Sequence, residues 1–265
     1  MRLTCADIKS FKNRLEKFVC LTAYTTPMAQ SLVPYVDLVL VGDSVGTVLY
    51  GLPDTTGVTL EMMLAHGSAV MRASPDVPVI VDMPYGTYEA GPDSALENAR
   101  KIMDITGCHG VKLEGGVSMS AQISALVRAG IPVMGHVGLQ PQSVVKEGGY
   151  KVKGKQASQI TALLADIEAV ETAGAFAVVI EGTVAAVAEQ MTRAVDIPTI
   201  GIGASPVCDG QILVTDDLVG SLYSAPPKFV TPYAHVRGVI EDAVERFAAD
   251  VRAGRFPRPE NLYKG

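Results

Sequence analysis

The chain has 265 residues, of which 48% are hydrophobic and 19% charged, with a formal net charge of −6. That composition can build a large core and excludes an intrinsically disordered chain. An acidic balance with no basic cluster argues against nucleic acid or an anionic membrane surface as partner.

In chain order, eight short runs rich in β-branched residues end in polar or glycine-containing turns, and helical stretches fill most of the gaps. FVCLTAY (18–24) and VDLVLVGDS (36–44) come first, followed by the helical LEMMLAHGSAVMRA (60–73). VPVIVDMP (77–84) precedes the helical PDSALENARKIMDIT (92–106), and GVKLEGG (110–116) follows it. IPVMGHVG (131–138) precedes the helical QITALLADIEAVETAG (159–174). FAVVIEG (176–182), IPTIGIG (197–203) and QILVTDD (211–217) complete the strands, and AHVRGVIEDAVERFAADVRAG (234–254) reads as a closing amphipathic helix. Gly107, Gly130 and Gly174 stop helices shortly before a β run. Parallel strands alternating with helices predict a TIM (β/α)8 barrel, occupying 1–265 as a single domain. The rival is an open doubly wound sheet. That fold advertises a glycine fingerprint after its first strand, and TAYTTPMA (22–29) has no glycine, so the barrel is favoured.

Four cysteines (Cys5, Cys20, Cys108, Cys208) lack CxxC spacing and suggest neither a zinc motif nor a disulfide framework. The N-terminal MRLTCADIKSFKN has no apolar stretch resembling a secretory signal, and no apolar run approaches a membrane span. The expectation is a reduced, cytoplasmic protein.

Active sites of such barrels lie at the C-terminal ends of the strands. There the second strand carries Gly42, Asp43 and Ser44, and the next four carry Asp82, Glu114, His136 and Glu181. One strand-end Asp is most simply a helix cap. Five successive ionisable strand ends suggest a shared polar site instead. Side chains two apart share a strand face. Val41 with Asp43, Ile80 with Asp82, Met134 with His136 and Val179 with Glu181 would each place the polar member at the top of the interior. By the same rule Lys112 and Glu114 point inward, and Val111 and Leu113 face the helices. Four carboxylates repel unless neutralised. Lys112 supplies one positive charge, and a divalent cation would supply more. Oxygen-only ligands favour magnesium over zinc.

His136 is either a metal ligand or, preferably, a group that orients substrate. Lys112 has three readings: a structural ion pair with Glu114, an anion-binding group for a substrate carboxylate, or a Schiff-base nucleophile. The last needs a depressed pKa, which neighbouring acids oppose. GIGAS (201–205) is either a phosphate-binding turn or backbone punctuation. GGYKVKGK (148–155) is a lid, an anion contact or a solvated loop.

VGDSVG (41–46), Asp82-x-Pro84, VKLEGG (111–116), GHVGLQPQS (135–143), GGYKVKGK (148–155) and IGIGAS…DGQILV (200–214) together resemble the ketopantoate hydroxymethyltransferase family, in the family's order and from about Tyr24 to Lys228. The resemblance implies a barrel of the phosphoenolpyruvate/pyruvate superfamily type. It implies transfer of a hydroxymethyl group from 5,10-methylenetetrahydrofolate to 3-methyl-2-oxobutanoate, giving 2-dehydropantoate on the way to pantothenate, through a magnesium-stabilised enolate. It further implies Asp43, Asp82 and Glu114 as Mg2+ ligands, the last directly or through water. Ser44 and Lys112 would hold the oxo-acid with the two aspartates, His136 would lie close to the reacting centre, and Glu181 would be the base. A homodecamer is implied as well. Where the family pattern has Val-Pro after the strand-6 Glu, this chain has Gly182-Thr183-Val184. The competing activity is that of a magnesium-dependent lyase or aldolase of the same superfamily acting on another 2-oxo acid without folate.

Overall fold

Period-2 alternation and short apolar runs become eight parallel strands in a closed barrel, each paired to the next and the last to the first. The computed structural model describes residues 3–73 and 76–264; the first two residues of the polar N-terminal stretch lie outside them. The strands are β1 (Phe18–Thr22), β2 (Leu38–Val41), β3 (Val79–Asp82), β4 (Gly110–Glu114), β5 (Val133–Gly138), β6 (Ala177–Glu181), β7 (Thr199–Ile202) and β8 (Gly210–Leu213). The helices are α1 (Cys5–Lys9), α2 (Thr26–Leu32), α3 (Val45–Val48), α4 (Leu60–Met71), α5 (Pro92–Thr106), α6 (Ser120–Arg128), α7 (Val144–Glu147), α8 (Ala157–Thr172), α9 (Ala185–Ala194), α10 (Thr215–Val219) and α11 (Val236–Arg252). The chain divides into two compact units, Met1–Val214 with the barrel and Thr215–Gly265 with α10 and α11.

Two apolar layers hold the first unit. The outer one joins Val39, Val81, Val111, Leu113, Val137 and Ile180 to helix residues such as Met63, Ile102, Ile123 and Ile167. The inner one fills the barrel with Leu38, Leu40, Ile80, Met134, Val179, Ile200 and Ile212, and draws in Cys5, Ile8 and Phe11 of the N-terminal segment. Val111 and Leu113 thus face the helices, as strand parity requires. The alternation of strand and helix is broken once: β7 passes to β8 through a short loop, 203–209, with no helix. There Val207 N–H donates to Ser205 Oγ and Gln211 donates to the Ser205 carbonyl, so the turn is closed on its own groups.

Helix caps follow the sequence. Thr25 and Thr59 side chains accept backbone N–H groups at the starts of α2 and α4. Gly107 closes α5 in the left-handed region, φ 71°. Close packing demands another glycine. A Cβ at Gly135 on β5 would lie 2.4 Å from Val170 Cγ1 of α8, so only glycine lets the helix settle on this strand. Gly135→Ala is expected to cost roughly 1–3 kcal/mol as overpacking, read as a lowered Tm. Val170→Ala in the same chain should restore part of the loss. A Gly135→Ala barrel as stable as the wild type would refute this packing.

Candidate active site

The barrel interior changes character along its axis. Its lower positions are aliphatic, whereas Asp82, Lys112, Glu114, His136 and Glu181 occupy inward positions near the C-terminal strand ends. Register brings them together. Asp82 pairs with Lys112 across β3 and β4, Glu114 with His136 across β4 and β5, and Gly138 with Glu181 across β5 and β6. Gly138 has φ 94°, and a Cβ there would meet the Glu181 carbonyl at 2.3 Å, so glycine permits this close approach.

Asp43 reaches the site by another route than strand parity. Val41 lies in the outer layer, facing the helices. The strand ends there, and position 42 faces the interior, where a Cβ would meet Ser44 Oγ. The turn then carries Asp43 inward. Its N–H donates to Asp82 Oδ2 at 3.0 Å, and its Oδ2 accepts from Gln142 Nε2 at 2.9 Å. Ser44 stands immediately before α3 without capping it; its hydroxyl lies 2.8 Å from the Tyr24 hydroxyl instead.

Lys112 is buried and pairs with Asp82, Nζ to Oδ1 3.0 Å, rather than with Glu114. The register explains the difference: Asp82 stands directly opposite Lys112, whereas Glu114 is two residues further along. Glu114 is engaged elsewhere. Its Oε2 accepts the Gln142 N–H at 3.1 Å, and its Oε1 lies 3.5 Å from His136 Nδ1. Lys112 Nζ also lies 3.3 Å from His136 Nδ1, and His136 Nε2 lies 3.2 Å from Glu181 Oε2. Glu181 is the more open member of that pair, its side chain 18% exposed against 3% for His136.

The electrostatics follow from burial. Burial, then repulsion from Asp82 and Glu114, pushes the Asp43 carboxyl up to about 7. Burial likewise raises Asp82, against the pull of Lys112. Burial works to discharge Lys112, but Asp82, Glu114 and Asp43 outweigh it and hold the ammonium above its ordinary range. That removes the basis for a Schiff-base role at neutral pH. For His136, burial and then Lys112 oppose the charge, yet Glu114 and Glu181 raise it to about 9. Nε2 carries a proton toward Glu181 both in the imidazolium and in the neutral ring whose Nδ1 accepts from Lys112.

Two residues escaped the sequence reading. Gln142 is buried and holds Asp43 and the Met83 carbonyl through Nε2, the Tyr88 hydroxyl (2.5 Å) through Oε1, and Glu114 through its backbone N–H. Tyr88 in turn accepts the Glu114 N–H at 3.3 Å. Gln142 stood inside the GHVGLQPQS stretch but lies on a 3-10 turn, Pro141–Ser143, where no strand period marks its direction.

Among the described residues, no three His, Cys, Asp or Glu side chains stand close enough to form a ready-made metal cage. The donor set still fits a magnesium ion, which takes one or two carboxylates and completes its shell with water and substrate oxygens. Asp43 and Asp82 supply that pair. Asp82 Oδ1 meets the Lys112 ammonium at 3.0 Å and Glu114 Oε1 lies 3.5 Å from His136 Nδ1, and a carboxylate oxygen with one such partner keeps a further lone pair for a cation.

A family model described as Ketopantoate hydroxymethyltransferase matches residues 2–259. A 3-methyl-2-oxobutanoate hydroxymethyltransferase of Mesorhizobium japonicum is 59% identical, over 93% of this chain and 86% of the relative. One of Rhodospirillum rubrum is 52% identical over 99% of this chain and 95% of the relative. Among solved structures, phosphonopyruvate hydrolase in complex with oxalate and Mg++ shares the fold with TM-score 0.63 at 13% identity, covering 99% of this chain and 92% of that one. The corresponding values for 2,3-dimethylmalate lyase, a PEP mutase/isocitrate lyase superfamily member, are TM-score 0.61, 17% identity, and 99% and 90% coverage.

A pH experiment reads the buried acid directly. With Asp43 raised from 3.8 to about 7 in the fold, the folded state binds more protons than the unfolded state between those values. Its contribution therefore turns against folding as pH rises through that window. In metal-free protein, the Tm of Asp43→Asn should pull ahead of the wild type from about pH 4 to about pH 7 and hold a constant lead above. The lead corresponds to an effect on the order of a few kcal/mol. A pH-independent difference would refute the shift.

Proposed function

The chain belongs to the ketopantoate hydroxymethyltransferase family of transferases, and on that premise we propose that it transfers a hydroxymethyl group from 5,10-methylenetetrahydrofolate to 3-methyl-2-oxobutanoate, giving 2-dehydropantoate. The observation that carries the mechanism is one continuous chain of contacts, Asp43 to Asp82, Asp82 to Lys112, Lys112 to His136 and His136 to Glu181, which brings carboxyl groups, an ammonium and an imidazole to one site. Asp43 and Asp82 would hold magnesium, with Glu114 acting through water. The bound ion would supply Lewis-acid polarisation of the 2-oxo group, which acidifies the neighbouring C3–H.

The remaining work falls to the chain's own groups. Lys112 presents three N–H donors. Asp82 and His136 lie within reach of two, and the third faces a substrate carboxylate. Ser44, at the start of α3, offers a hydroxyl to the same acid. Glu181 accepts the C3 proton as general base. His136 Nε2–H fixes the Glu181 carboxylate and stabilises its charge while it waits. The substrate enolate then forms the new carbon–carbon bond to the methylene carbon carried by folate. A water supplies the hydroxyl oxygen, both carbon–nitrogen bonds to that carbon break, and tetrahydrofolate leaves with one proton from the water and the one Glu181 took from C3.

Other features support the wider reading of a cytoplasmic homo-oligomer, for which the family resemblance suggests a decamer. No helix among the described residues is long and apolar enough to cross a membrane. The four cysteines are unpaired and buried. On α11, Val239, Ile240, Val244, Phe247 and Val251 form an exposed stripe at helical spacing.

Two measurements test the mechanism. Chelation with EDTA should abolish turnover, and magnesium should restore it. Full activity in exhaustively chelated enzyme would remove the metal from the scheme. Glu181→Gln should still bind the oxo-acid but lose about 10²–10⁴-fold in rate, both in hydroxymethyl transfer and in folate-independent exchange of the C3 proton followed by NMR in heavy water. Exchange at the wild-type rate would transfer the base role to His136. Product formation without folate would favour the lyase or aldolase reading. For the substrate carboxylate, Lys112→Ala should raise KM about ten- to a hundredfold, with Lys112→Arg intermediate; a borohydride-trapped adduct on Lys112 would overturn this.

A further inference from the structure

Beside the catalytic carboxyls lies a cavity of about 810 Å3, bounded by loops that follow β2, β3, β4 and β5. It touches the centre at Glu114 and Gln142, and its outer wall includes Tyr85, Met119, Val145 and Lys146. Cavities of about 300–1,000 Å3 hold drug-sized ligands, so a five-carbon acid bound at Asp43, Asp82 and Lys112 would leave most of this space unused. The wall is also unusual for a surface that only meets water. Tyr85 is 52% and Val145 66% exposed, an aromatic and an aliphatic group bordering the same hollow.

We infer that this cavity is the subsite for the folate co-substrate, with Tyr85 and Val145 covering its heterocycle and Lys146 receiving its carboxylate tail. The inference rests on the transfer reaction proposed above and adds a location to it. Chemistry sets the same requirements. The methylene donor must reach the substrate at C3, so its site must be continuous with the centre, as the shared Glu114 and Gln142 make this one. Its fused ring needs an apolar or aromatic surface. Its glutamate tail needs a cation at the rim, and Lys146 is exposed there. Glu89 also lines the wall, with its Oε2 pinned by the N–H groups of Gly86 (2.9 Å) and Tyr88 (3.2 Å). A carboxylate fixed in this way matches the adjacent N–H and amino donors of a pterin.

The test uses the full chain and 5-formyltetrahydrofolate, an unreactive folate, as the probe. Tyr85→Ala and Lys146→Glu change exposed side chains outside the catalytic network, and circular dichroism and Tm verify the fold. Each variant is expected to weaken probe binding and raise KM for methylenetetrahydrofolate by about tenfold, while C3-proton exchange of the oxo-acid stays at the wild-type rate. Unchanged probe binding and KM in both variants would place folate elsewhere and overturn the inference, leaving the transfer reaction intact. Loss of C3 exchange alongside binding would assign the cavity to the oxo-acid and overturn it too. A wild-type chain that neither binds the probe nor needs folate for product would bring down the transfer reaction itself, and this subsite with it.

Discussion

The ammonium of Lys112, sealed inside a barrel, is the constraint on which the site depends. An isolated buried charge costs several kcal/mol, and removing one partner of a buried pair costs about 3–5 kcal/mol. Lys112 therefore has to keep acids around it, and Asp82 stands opposite it in register. Acids in turn repel each other. Asp43, Asp82, Glu114 and Glu181 are four carboxyl groups against two basic side chains, Lys112 and His136. The imbalance appears as the proton that Asp43 retains up to about 7. A divalent cation would relieve it, so the same crowding of carboxyl groups that keeps a proton on Asp43 would favour binding of a metal and, through it, an anionic substrate.

Much of this was legible in the sequence because strands have period two. Lys112, Glu114, Asp82, His136 and Glu181 are placed by parity alone, and the aliphatic neighbours Val111 and Leu113 take the opposite face. Parity fails where a strand stops. Val41 closes β2, so the Asp43 side chain is directed by a turn, and its inward course is visible only through the hydrogen bonds to Asp82 and Gln142. Gln142 and Tyr88 were illegible for the same reason. Both lie on loops, and their importance comes from long-range convergence on Asp43 and Glu114. The partner of Lys112 also depended on register, which local spacing does not specify.

The turn after β6 shows how a departure in sequence is absorbed. Gly182 adopts φ 52°, and the Thr183 hydroxyl donates to the Glu181 carbonyl. Lys153 bridges to Thr183, with its N–H on the Gly182 carbonyl and its own carbonyl accepting from Val184. Glu181 is thereby held from both sides of the turn without a Val-Pro pair. The glycine-rich stretch 148–155 is also more than a solvated loop, since its Lys153 joins this bridge and pairs with Glu147.

The missing helix between β7 and β8 bears on how the barrel comes into being. Strands β2 to β5 are buried along their whole length, whereas the register neighbours Val19 of β1 and Gln211 of β8 both face water. The β1–β8 pair is a seam with one wet side, joining the first strand made to the last. During synthesis the first seven strands must wait with open edges, which are sticky in an unfinished sheet. Closing that seam joins the most distant segments of the barrel sequence, the slow kind of step in folding. The finished barrel should also breathe there first, because local opening follows the segments with least apolar cover. The charged rim thus sits on a cylinder whose rigid arc, β2 to β6, carries Asp82, Lys112, Glu114, His136 and Glu181, while its zipper runs down the opposite wall.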